Sequence, residues 1–150
     1  MNPNTAYAIA FKAHFGQRYG ERAYFDAHVR DVARRVIEAG GTEDAVVVAW
    51  LHDVLEDTPF QMHHLVAQGL TVEQQRALRA ITRVLGEGYP EYLVRVAANP
   101  IATLVKRCDL EANIDAVETL PDRLRRRYEA AHMWLTDRHL AEELAHAHRS

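Results

Sequence analysis

The segment Ala45–Leu51, AVVVAWL, constrains the fold more than any other part of this chain. Wound as a helix, it points apolar side chains in nearly every direction, with Ala45, Val46, Val48, Ala49, Trp50 and Leu51 leaving no polar side for solvent. Such a helix belongs in the centre of a bundle. Its neighbours are expected to be helices with narrower apolar stripes, and the sequence supplies them. Phe25, His28, Val29, Val32, Val36 and Ile37 recur at helical spacing, and the pair Gly40-Gly41 closes that stretch. Thr42 is placed to cap the central helix. Thr71 with Gln74 has the pattern of a capping box before a helix through Ile81, and Asn99-Pro100 puts a cap and a first-turn proline before a helix reaching about Val117. Pro121 opens a last helix with Leu124, Tyr128, Ala131 and Leu135 inward, whose end, AEELAHAHRS, is expected to fray. No stretch has the strict alternation of a half-buried strand. The expectation is an all-α bundle of roughly seven or eight helices, with residues 1–150 forming one domain.

Charge and composition narrow the function. A net charge of -3 argues against a general nucleic-acid binder, which needs a basic surface to neutralise phosphates. Cys108 is the only cysteine, so no intramolecular disulfide forms. The start, MNPNTAYAIA, lacks a basic stretch followed by a long apolar core, and no apolar run reaches the ~18 residues of a membrane span. A soluble, cytoplasmic protein is expected; nothing in the sequence sets its oligomeric state.

At the end of the apolar helix comes LHDVLEDTP, one histidine and three acidic residues compressed before Pro59: His52, Asp53, Glu56 and Asp57. Proline disfavours helical geometry in the preceding residue, so the helix should finish around Glu56 to Thr58. His52 with Glu56, and Asp53 with Asp57, are then one turn apart on neighbouring strips. A helix C-terminus carries partial negative charge and is a poor place to gather carboxylates unless a cation joins them. A solvent-facing polar end is the alternative for the His-Asp pair taken alone. Two other helices weigh against it. His28 lies inside an apolar stripe, and Asp109 lies beside Leu104, Val105, Cys108 and Ala112, with Asn113 one turn further on. Buried polar groups of this kind need partners. A single Mn²⁺, Fe²⁺ or Zn²⁺ accepts mixed nitrogen and oxygen donors and would satisfy all of them.

The order His28, His52-Asp53, Asp109 resembles the HD-domain metal-dependent phosphohydrolases. Within them it is most similar to the hydrolase domain of RelA/SpoT proteins and the small stand-alone hydrolases that remove pyrophosphate from the 3′ position of (p)ppGpp. The segments that carry the resemblance are AHFGQ around His14, the histidine at His28, LHDVLEDT to Thr58, ITR at Ile81 and VKRCDLEAN through Asn113. The resemblance implies His28, His52, Asp53 and Asp109 as metal ligands, with Mn²⁺ as the usual ion. It implies Glu56 and Asp57 as the water-activating acidic pair and Asn113 as an active-site residue near ribose or phosphate. One loop departs: residues 18–25 lack the family's Arg-Lys pair, and Phe25 stands where a tyrosine is usual, with Tyr24 one position earlier. Since that loop contacts guanine in the family, nucleobase specificity is open here, with Arg18 or Arg22 available for a stacking or phosphate role.

Four protein ligands on a six-coordinate ion leave places for a water and a phosphate oxygen. Glu56, near other carboxylates, is expected to have a raised pKa suited to moving a proton. The expected partner is a small phosphorylated nucleotide, most simply (p)ppGpp. The alternatives are an HD nucleotidase releasing orthophosphate from nucleoside monophosphates, and a metal-stabilised nucleotide-binding regulator without turnover. Other residues read as structural. His63 and His64 are expected at the surface of a connector, Arg125, Arg126 and Arg127 on a solvated face, and His14 in a structural hydrogen bond. Cys108 is expected in packing. Tyr89 and Tyr92 flank Pro90 in a connector where they either pack or stack on a base, and Lys106 either meets a phosphate or snorkels to solvent.

Overall fold

The computed structural model describes residues 1–116 and 120–147. Helix α1 (Pro3–Ala13) leads into a short hairpin, β1 (Arg18–Tyr19) and β2 (Arg22–Ala23), and a π-turn (Phe25–Val29) that continues directly into α2 (Arg30–Glu38). There follow α3 (Glu43–Leu51), α4 (Val54–Asp57), α5 (Met62–Ala67), α6 (Val72–Ile81), α7 (Tyr89–Ala97), α8 (Pro100–Asp115) and α9 (Asp122–Ala147). The expected all-α bundle is what forms, and α3 is its centre. Ala45 to Ala49 and Leu51 are all buried, and the helix packs against α1, α2, α6 and α8. Each fully buried Val or Leu on it contributes about 1.5–3 kcal/mol of transfer free energy. Trp50, half-buried, stacks on Phe25 at 5.7 Å and meets Tyr7 edge-on at 5.1 Å, joining α3 to α1 and the π-turn.

The helix boundaries follow the local chemistry. Thr42 accepts from the Ala45 N–H, Asn99 accepts from the Ala102 N–H, and Thr71 and Gln74 make the reciprocal capping box. Helix α2 ends in a Schellman arrangement: Gly40 (φ 76°) donates to Ile37 O at 3.0 Å, and Gly41 donates to Val36 O at 2.9 Å. A Cβ on Gly41 would lie 2.7 Å from Val36 Cγ1, so both glycines are required.

Several expectations are corrected. Ile37 is exposed, because α2 buries only Val32, Ala33 and Val36 against the core. The hairpin is a small sheet in a chain with no strand pattern; it is too short to alternate and turns at Gly20 (φ 61°). Tyr89 and Tyr92 lie on α7 and not in a connector, with Pro90 occupying the tolerated first turn. His63 and His64 are exposed as expected, but on the short helix α5, where His64 Nδ1 accepts from the Gln61 N–H. The last helix continues to Ala147, with Arg138 and Glu142, and His139 and Glu143, paired along its exposed half. The expected end of α8 at Val117, and residues 148–150 of the tail, lie outside the described residues.

Between α6 and α7 the chain is tied down by one side chain. Arg95 donates to the carbonyls of Arg79 at 2.7 Å and Thr82 at 2.8 Å, and clasps Glu87 at 2.6 and 2.8 Å. Arg79 and Thr82 flank the end of α6, where backbone carbonyls lack helical partners.

Candidate metal centre

The helical path through LHDVLEDT is broken. α3 ends at Leu51, Asp53 takes φ −102° and ψ −2°, and α4 restarts at Val54 and finishes at Asp57. The chain thus ends near the expected place but through a kink, and the kink turns His52 and Asp53 together toward α8. His52 Nδ1 donates to Ala49 O at 2.7 Å, using a carbonyl at the end of α3 and leaving Nε2 directed toward the interior.

Four groups meet there. His52 Nε2 lies 3.3 Å from His28 Nε2 and 2.9 Å from Asp53 Oδ2. His28 Nε2 lies 3.0 Å from Asp109 Oδ1 and 3.6 Å from Asp53 Oδ2. One donor atom each from His28, His52 and Asp109, all three buried, falls within 4.8 Å of the others, the separation a shared ion requires. Burial alone would push the His52 imidazole down, but Asp53 and Asp109 reverse this and hold it well above its ordinary range. Burial would raise both carboxyls; His52 holds Asp53 low, and Lys106, ahead of the imidazoles, holds Asp109 low. Two imidazole Nε2 atoms converge with two ionised carboxylates, a nitrogen and oxygen donor set that fits a divalent cation once the ion displaces the proton His52 holds.

Helix α8 contributes three side chains on one stripe, at Lys106, Asp109 and Asn113. The two oxygens of Asp109 are divided: Oδ1 faces the imidazoles and accepts from Asn113 Nδ2 at 3.1 Å, while Oδ2 accepts from Lys106 Nζ at 2.7 Å. Lys106 therefore neither snorkels nor waits free for phosphate; it is committed to Asp109. Burial would lower its pKa, and Asp109 more than restores it. Asn113 in turn accepts from the Tyr19 hydroxyl at 3.0 Å.

Glu56 and Asp57 stand solvent-accessible at the rim. Partial desolvation raises both carboxyls, with Asp53 adding to the effect, although the Arg83 N–H donates to Glu56 Oε1 at 2.5 Å and pulls it back in part. His14 makes the expected structural bond: its Nδ1 donates to Gln17 Oε1 at 2.8 Å, and Gln17 Nε2 donates to Asp57 O at 2.8 Å. The AHFGQ segment thereby fastens the end of α1 to the end of α4. Cys108 is buried, and burial pushes its thiol up to about 11, consistent with packing.

Two tyrosines on the hairpin side were not singled out for the centre from sequence. Tyr19 stacks against His28 at 5.8 Å between ring centres, and the Tyr24 hydroxyl donates to Asp53 Oδ2. The available signal was the position of Tyr24, one residue ahead of the family pattern; Phe25 instead enters the aromatic cluster with Tyr7, Phe11 and Trp50. Arg18 is used within the hairpin, donating to Glu21 O, whereas Arg22 lines an open groove of about 1020 Å³ that also takes in Tyr19, Arg30, Arg34 and Asp115. Tyr92 is buried and donates to Ile81 O at 2.5 Å, the packing role of the two offered for it. Arg126 and Arg127 are exposed as expected, Arg127 lying over the Tyr89 ring at 3.7 Å, whereas half-buried Arg125 donates to Ile114 O at 3.0 Å.

No protein-family profile matches the chain. Among solved structures, it is similar to a metazoan ortholog of SpoT described as hydrolysing ppGpp and playing a role in starvation responses. The TM-score is 0.73 at 22% sequence identity, over 91% of this chain and 84% of that one. No described helix is long and apolar enough to cross a membrane. The bundle built around α3 is therefore the fold of that ppGpp hydrolase.

Proposed function

We propose that residues 1–150 form an HD-type phosphohydrolase domain that hydrolyses a nucleotide phosphoester, removing the 3′-pyrophosphate of (p)ppGpp or a closely related cytoplasmic nucleotide. The observation that carries this reading is the buried convergence of His28, His52 and Asp109, with Asp53 beside them and two carboxylates of raised pKa at the rim. The shared fold supports it. His28, His52, Asp53 and Asp109 are the ligands of one divalent ion, Mn²⁺ in the first instance, with Fe²⁺ or Zn²⁺ accepted by the same donors. When bound, that ion supplies Lewis-acid stabilisation of phosphoryl charge and lowers the pKa of water.

The protein's own groups do the rest. Lys106 and Asn113 hold Asp109 in one orientation from opposite oxygens. Glu56 removes the proton from the attacking water, and its raised pKa leaves it able to return one. Asp57 orients that water and tunes Glu56. As the water oxygen bonds to the phosphorus, the bond to the ribose 3′-oxygen breaks and that oxygen takes up a proton. Pyrophosphate leaves, and the anhydride within it stays intact. Asn113, bonded to the hydroxyl of Tyr19, which lines the large groove, contacts ribose or phosphate in this reading.

The test is turnover of ppGpp by the Mn²⁺-loaded protein, with an EDTA-treated control and nucleoside monophosphates in parallel. Pyrophosphate as product, lost on metal removal, is expected. Orthophosphate alone would make the protein a nucleotidase. Full metal loading without turnover of any phosphorylated nucleotide would make it a binding module.

A further inference from the structure

The two ligand carboxylates are supported unequally. Asp109 is buried and held from both oxygens, by Lys106 at 2.7 Å and Asn113 at 3.1 Å. Asp53 sits at the kink between α3 and α4, outside either helix, and is more open to solvent. Among the described residues, the hydrogen-bond donor on its carboxylate apart from the imidazoles is the Tyr24 hydroxyl. That bond falls on Oδ2, the same oxygen that faces His52 and His28. We propose that Tyr24 is a positioning residue of the metal centre: it fixes the Asp53 carboxylate so that Oδ2 faces the ion, an assignment that rests on the metal reading above.

The geometry around Tyr24 is suited to this. Its backbone N–H donates to Gln17 O at 2.9 Å, closing the base of the hairpin, and the π-turn begins at the next residue. Turns of this kind often mark functional sites, because the extra residue re-aims side chains. Here Phe25 goes into the core, while the Tyr24 ring lies against His14, Tyr19 and His28 at 5.3, 5.9 and 5.3 Å between centres. The ring is clamped and the hydroxyl has one direction to point. A carboxylate oxygen has two lone pairs, so it can ligate an ion through one and accept from Tyr24 through the other. Hydrogen-bonding partners of metal ligands commonly change metal affinity by about 10–100-fold.

Tyr24→Phe removes the hydroxyl and keeps the ring contacts. The metal-free wild type and variant are titrated with Co²⁺, following the visible absorption that reports its coordination. The expected result is one equivalent bound by the wild type, with affinity weakened about 10–100-fold and an altered band in Tyr24→Phe. A role in packing alone would lower the melting temperature of the metal-free variant and leave the Co²⁺ band unchanged. A second measurement needs no substitution: Zn²⁺, which is colourless, should shift the near-ultraviolet tyrosine absorption of the wild type. Equal Co²⁺ affinity and spectrum in the two proteins, or no tyrosine shift on Zn²⁺ binding, overturns the role of Tyr24 and leaves the metal centre standing. Absence of Co²⁺ binding by the wild type overturns the metal reading itself and this role with it.

Discussion

Lys106→Met tests the electrostatics of the centre directly. The substitution keeps an unbranched stem beside Tyr92 and removes an ammonium from 2.7 Å of Asp109 Oδ2, where the two side chains are only 14% and 8% exposed. Breaking a buried pair by removing one partner costs about 3–5 kcal/mol, because the remaining charge has lost its compensation. At about 2–4 °C per kcal/mol for a chain of this size, the metal-free variant should melt about 6–20 °C below the wild type. In the proposed site the same carboxylate would also hold a divalent ion. Adding Mn²⁺ should therefore recover much of the loss, and the more negative site should bind the ion more tightly than the wild type does. Calorimetric melts of EDTA-treated and Mn²⁺-saturated proteins separate the two effects. A metal-free shift below about 2 °C, under about 1 kcal/mol, would refute the buried-pair argument. A deficit undiminished by Mn²⁺ would refute the placement of the ion on Asp109.

Three further outcomes follow from the rim and the loop beside it. Glu56→Gln should lower turnover by about 10²–10⁴-fold with metal content unchanged by elemental analysis. In the wild type the acid limb of the pH–rate profile should lie above the ordinary carboxylate range, because desolvation raises Glu56 and a base must be deprotonated to act. Normal turnover in the variant would pass the role to Asp57 or the ion, and loss of metal would make Glu56 a ligand. Glu87 is depressed to about 2, chiefly by the hydrogen bond from Arg95. Its contribution to stability is thus complete above the unfolded carboxyl's range and lost as pH falls from about 4.5 towards 2. Melts of Glu87→Gln should accordingly match the wild type best at the acid end of that window and fall furthest behind near neutrality.

The parts of this architecture legible in sequence were those set by local rules. Apolar residues all round α3 required a central helix, and the caps at Thr42, Thr71 and Asn99 depend on neighbours three residues away. His28 and Asp109 could be suspected because each is a polar side chain within an apolar stripe, and burial makes such residues expensive without partners. What could not be read is pairing across the fold. Lys106 and Asp109 are three residues apart, yet nothing local distinguishes an inward lysine stem from one that snorkels. The bonds from Tyr24 to Asp53 and from Tyr19 to Asn113 span 29 and 94 residues. The break at His52–Asp53 was hidden because a periodic pattern continues through a one-turn kink without a proline or glycine to announce it. The π-turn was hidden similarly, since one extra residue leaves Phe25, His28 and Val29 buried.

The Arg95 clasp has a consequence for how Glu56 meets a ligand. By gathering Arg79 O, Thr82 O and Glu87, it fastens the segment whose Arg83 N–H reaches Glu56 Oε1. Freezing a residue's backbone costs roughly 1–2 kcal/mol, and for this segment the cost is incurred when the chain folds. In the proposed reaction Glu56 would thus meet its ligand preorganised, and binding free energy need not be diverted to immobilising it. Loosening the clasp should act as an entropic penalty on every ligand alike, weakening affinity without redirecting selectivity, a signature unlike that of any residue that touches the base or the phosphates.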